Sequence, residues 1–143
     1  MDFHCDIVPN TKKDMAWHIG NSGFDMILTA YVSHAIGKGI GEFMKKLLKR
    51  QKINPSDIAL YAIHPGGTKI LQACEEALGI DAKQNRYAHD ILENYGNMSS
   101  ATIVFVLKAL WDELDATDEG KYVFSCAFGP GLTLESMLLR VKT

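Results

Sequence analysis

The chain lacks most of the features that announce a function outright. Its three cysteines, Cys5, Cys74 and Cys126, have no paired spacing, which argues against a disulfide framework and fits a reducing compartment. Its five histidines are scattered without the i,i+4 or Cys-x-x-Cys spacing of a zinc site, so no metal is expected. No apolar run is as long as a membrane span, and the first residues form neither a basic n-region nor an apolar h-region. Fifteen Lys and Arg stand against 17 Asp and Glu, a net charge of −2. That balance gives no reason to expect nucleic acid or a membrane surface as partner. Internal repeats, low-complexity tracts and linkers are also absent. A soluble, cytoplasmic protein is the expectation.

What is present is an ordinary globular composition, 47% apolar and 22% charged over 143 residues, enough for one domain with a hydrophobic core. Residues 1–14 are polar and read as an irregular lead-in, with the domain proper over 15–143. Residues 24–32 have strand character between Gly23 and Ser33. Ser33 reads as the cap of a helix through about Arg50, with Ile36, Ile40, Phe43, Met44, Leu47 and Leu48 on one face. Gly37, Gly39 and Gly41 cost that helix up to about 1 kcal/mol each relative to Ala, so irregular first turns are expected. A second strand, 58–63, delivers His64 at its end. Helices follow over about 67–78, stopped by Gly79, and 88–94. Asn97-Met98-Ser99-Ser100 opens a further helix, apolar nearly all round and therefore expected deep in the core. Strands at about 121–127 and 132–141 close the chain as a hairpin. Strands alternating with helices make this an α/β domain with a mixed sheet layered between helices and a buried central helix.

Two motifs carry chemistry. His64 stands where a buried strand meets Pro65-Gly66-Gly67, and ligand sites in α/β folds collect at strand ends. The two glycines permit close backbone approach. A turn histidine bonded to backbone explains the same residues. Asn97 stands at the entrance of the apolar helix, either as a plain N-cap or as an amide donor beside a positive helix end, able to hold an oxyanion or enolate. A third segment, Phe128-Gly129-Pro130-Gly131, is a glycine-rich turn between apolar strands.

Taken together and in this order, the motifs resemble the carboxy-terminal part of the type III polyketide synthases, the chalcone and stilbene synthase family. The likeness includes Trp17-His18-Ile19-Gly20, His64-Pro65-Gly66-Gly67, Tyr95-Gly96-Asn97-Met98-Ser99-Ser100 and Phe128-Gly129-Pro130-Gly131-Leu132-Thr133. It implies a thiolase-like half-fold. It also implies that His64 and Asn97 are catalytic, holding the malonyl thioester carbonyl as CO2 leaves, with His64 pairing to a Cys thiolate. By the same resemblance Trp17, Met26, Ser99, Phe128, Gly129 and Pro130 bind substrate. Gly66 and Gly67 join them as substrate-binding positions through the close approach they allow, and Lys69 could reach a coenzyme A phosphate or the pantetheine arm, although it is equally unremarkable as a solvated helix residue. Trp17 is bulkier than the residue usual there, which fits a smaller product or a different starter as well as plain core packing.

No cofactor is implied; the substrates would be acyl-CoA and malonyl-CoA. The family's nucleophilic Cys belongs to an amino-terminal half not recognisable here, and none of the three cysteines looks competent. That half of the same enzyme is therefore the expected partner, with exposed apolar surface where it would pack and a homo-oligomer as the assembly. The isolated chain is expected to be inactive in condensation. Two other readings stay open: a non-catalytic remnant that binds a partner or acyl-CoA, and half of an initiating ketoacyl synthase. Pro65-Gly66-Gly67 disfavours the last, which typically has His-Gln-Ala-Asn.

Overall fold

The computed structural model describes residues 1–142. In chain order the elements are β1 (Asp2–Ile7), β2 (Met15–Ile19), β3 (Phe24–Leu28), α1 (Tyr31–Arg50), β4 (Ile58–Ile63), α2 (Thr68–Leu78), α3 (Arg86–Tyr95), α4 (Ala101–Asp112), β5 (Tyr122–Gly129) and β6 (Thr133–Arg140). Four strands form a mixed sheet in the order β1-β6-β5-β4, in which only β4 and β5 run parallel. Strands β2 and β3 pair separately as an antiparallel hairpin.

Helices α1 and α2 cover one face of the sheet, and α4 packs on β4 from the other. The first interface is the core. Ile36, Ile40, Leu47, Leu71, Cys74, Ile63 and Phe124 are all fully buried. Removing such side chains from water contributes about 1.5–3 kcal/mol each. Helix α1 is regular through its glycines, contrary to the expected irregularity, because two of them sit against α2. A Cβ at Gly37 would lie 3.5 Å from the Ala73 Cβ, and one at Gly41 would lie 3.4 Å from the Ala77 carbonyl oxygen. Close helix packing offsets their propensity cost.

Three expectations are corrected. Residues 2–7 are not irregular: they form edge strand β1, in register with β6 from Asp2–Leu138 to Ile7–Thr133. Its pattern is inverted, with polar residues toward α1, which hid it. His4 stacks on Phe43 at 4.9 Å, Asp6 pairs with Lys46 at 2.8 Å and Asp2 pairs with Arg50 at 3.0 Å. Next, the strand at 24–32 stops at Leu28, where Thr29 turns to bond Asp14 through both its backbone N–H and its hydroxyl. Helix α1 then begins at Tyr31, ahead of Ser33. Finally, α4 is not deep in the core. Only Thr102, Val106 and Leu110 are buried, while Val104, Phe105 and Trp111 are 61%, 44% and 66% exposed. The helix covers the sheet with one face and touches α3 with another, as where Tyr95 meets Phe105, and among the described residues nothing covers the rest.

Candidate active site

Strand β4 carries His64 to the end of the sheet, where its backbone N–H donates to the Cys126 carbonyl of β5 at 2.8 Å. The residue is 7% exposed, and its Nδ1 is buried without a hydrogen-bond partner among the described residues. Burial lowers the imidazole pKa below its ordinary 6.5, so the ring is neutral at pH 7. A neutral imidazole can donate one hydrogen bond and still accept another.

Asn97 is placed by the break between α3 and α4. Gly96 turns the chain with φ of 70°. The Asn97 side chain then forms an Asx turn: its Oδ1 accepts from the Ser99 backbone N–H at 3.0 Å, with the Thr102 hydroxyl 3.4 Å away. Ser99 adopts a left-handed φ of 59° to allow this. With Oδ1 held, Nδ2 points the other way and donates to the Gly66 carbonyl at 3.2 Å. Its second N–H carries no bond within the described residues. Asn97 is therefore not the N-cap of α4; that position is Ser100, with no side-chain cap, and Thr102 Oγ1 instead accepts from the Met98 N–H at 2.8 Å. The amide is held by its own turn and tied to the His64-Pro65-Gly66-Gly67 loop.

The two residues share a cavity of about 460 Å3 with Trp17, Met26, Ser99, Phe128, Gly129 and Pro130. Trp17 and Met26 are cross-strand partners on one face of the β2–β3 hairpin. The hairpin is fastened to the β5–β6 turn by the Gly131 N–H, which donates to the Met15 carbonyl at 2.6 Å. That turn uses positive φ at both Gly131 (74°) and Leu132 (47°). Gly66, Gly67 and Lys69 line instead an adjoining cavity of about 420 Å3 at the start of α2. Met15, Ser100, Ile103 and Ala127 also line the first cavity and escaped sequence reasoning. Met15 and Ala127 flank singled-out residues at strand positions that face the cavity only once register is known.

No cysteine is poised as a nucleophile. Cys74 and Cys126 are buried, which pushes both thiols well above their usual range. Cys5 is exposed on β1, yet the Glu135 carboxylate beside it raises its pKa too. Among the described residues, no group of three or more His, Cys, Asp or Glu stands close enough to hold a metal ion, and no helix is long and apolar enough to cross a membrane.

Comparison with known proteins follows this geometry. Residues 3–143 match the family "Chalcone and stilbene synthases, C-terminal domain". The chain is 37% identical over 141 residues to "Probable polyketide synthase 1" of Dictyostelium discoideum, covering 92% of this chain and 4% of that one. It is 30% identical over 135 residues to an "Alpha-pyrone synthesis polyketide synthase-like Pks18" of Mycobacterium tuberculosis, covering 94% of this chain and 34% of that one. The crystal structure of the C-terminal type III polyketide synthase domain of "Steely1", a type I/III hybrid from Dictyostelium, superposes with a TM-score of 0.88 at 36% identity. That likeness covers 98% of this chain and 39% of the solved one. The chain thus spans about a third or less of the curated relatives it matches, and shares their thiolase-like fold. It belongs to the chalcone and stilbene synthase family, as that family's C-terminal domain.

Proposed function

We propose that this domain supplies the decarboxylation half of a type III polyketide synthase site. The observation that carries the reading is the convergence of His64 and Asn97 on one cavity, with the amide oriented by its own Asx turn and the imidazole neutral and unpartnered at Nδ1.

A malonyl-CoA thioester seated there would place its carbonyl oxygen between the imidazole N–H and the free N–H of Asn97. As the carboxylate leaves as CO2, its bonding electrons pass to the α-carbon and the thioester oxygen becomes an enolate. Donors fixed beforehand stabilise that charge without reorganising, and one such donor is worth about 2.7–4 kcal/mol in the transition state. The enolate carbon then attacks an acyl thioester in the Claisen condensation. That acyl group would sit on a cysteine from another segment of the enzyme, since each cysteine here is held as a thiol. The same three thiols favour, as a second reading, a domain that binds acyl-CoA or a partner without condensing anything alone.

Conversion of malonyl-CoA to acetyl-CoA by the purified chain, followed by mass spectrometry, separates the two. The expected result is slow turnover that falls about 10²–10³-fold in His64→Ala. Equal turnover in both proteins would overturn the assignment.

A further inference from the structure

The strongest charged feature outside the site runs along α1. At 3.6 residues per turn, Lys38, Lys45 and Lys49 fall within an arc of about 40°, in a row about 16 Å long, and Lys52 follows just past the end of the helix, in a left-handed turn. All four are exposed. Lys45 pairs with Glu42 at 2.7 Å, whereas no carboxylate among the described residues pairs with Lys38, Lys49 or Lys52. In a chain whose net charge is −2, this row concentrates positive charge, most of it unpaired, along one helix and the turn that follows it.

Its position matters as much as its charge. Lys38 lines a cleft of about 610 Å3 between α1 and α2, together with Ser33 and Lys69. Ser33 and Lys69 also line the 420 Å3 cavity that reaches Gly66, whose carbonyl anchors Asn97. The far end of the row, Lys45, Lys49 and Lys52, borders a further hollow beside Asn54 and Pro55. One end of the row therefore stands beside the cavity whose Gly66 holds Asn97, and the other ends on open surface.

We propose that this row is a docking surface for an acidic segment of a protein partner, which on binding covers the approach to the His64–Asn97 cavity. Length selects the partner. A single nucleotide gathers its phosphates within about one helical turn, whereas the helical part of the row runs for about three turns, the reach of an acidic helix or strand laid alongside. An anionic membrane fits less well: the apolar face of α1 is buried in the core, and its one large exposed apolar side chain is Tyr31. Docking itself does not depend on the proposed decarboxylation. Its consequence, control of thioester entry, does.

The test is fluorescence anisotropy of a labelled oligoglutamate peptide titrated with the purified chain at low and at physiological salt. Binding that weakens with salt is expected. A Lys38→Glu/Lys49→Glu/Lys52→Glu variant should lose about tenfold or more in affinity. A control of equal charge change, Lys12→Glu/Lys83→Glu/Lys142→Glu, should lose much less. Circular dichroism checks that both variants fold. Equal loss in the two variants, no peptide binding by the unmodified chain, tighter binding to phosphatidylserine vesicles, or displacement of the peptide by stoichiometric coenzyme A would each overturn the proposal. His64→Ala should leave peptide binding unchanged, so failure of the catalytic reading would be seen separately.

Discussion

The two faces of the sheet are built from similar residues and buried to different extents. On the α1–α2 side, Ile36, Ile40, Leu71 and Phe124 are fully enclosed. On the α4 side and along the hairpin, Phe3, Ile19, Phe24, Phe105 and Trp111 remain 44–87% exposed. The closed face carries the stability of the domain, and the open face carries its cavity. An apolar surface of this extent marks an interaction region rather than scatter. In the solved relative, more than half the chain lies outside the matched part.

The largest effect should come from breaking the closed face. Phe124→Ala empties the centre of the core and should cost about 3–5 kcal/mol, read as a lowered denaturation midpoint with unchanged denaturant slope. A cost below about 1 kcal/mol would mean the two faces are less different than their burial says.

Acid should sharpen the contrast through His64. Its pKa is lowered in the folded chain, so between that value and 6.5 the unfolded state binds more protons. Stability therefore falls as pH drops below 6.5, and His64→Gln should flatten the decline. Any decarboxylation that needs the neutral ring should show an acid limb with its midpoint below 6.5. A midpoint above 6.5 would contradict the burial of the imidazole.

The smallest effect on stability belongs to the open face. Trp111→Ser should change unfolding free energy by no more than about 0.5 kcal/mol while reducing self-association in sedimentation velocity. A large loss of stability would show that Trp111 is packed within the folded chain.

Much of the fold was legible because local chemistry and tertiary structure agreed. Strand β4, the stop of α2 at Gly79 and the β5–β6 hairpin follow from apolar runs and turn residues. Strand β1 was not legible, because its inward side chains, Asp2, His4 and Asp6, are polar and are matched by Arg50, Lys46 and Phe43 some forty residues away. Such pairing leaves no trace in a local pattern. Helix α4 failed in the opposite sense: an apolar helix says that burial is wanted, not that the same segment supplies the cover.

By itself the sequence determined the family and the order of elements from β3 onward, and singled out His64 and Asn97 as the candidate pair, since motif identity and local periodicity are properties of consecutive residues. Only the tertiary structure decided that Asn97 closes an Asx turn with its oxygen and donates to Gly66 and is not a cap, that Lys69 lies in an adjoining cavity, and that Met15 and Ala127 join the lining. Those outcomes rest on strand register and on hydrogen bonds between segments far apart in the chain, such as Asn97 to Gly66, and exist only once the chain has folded.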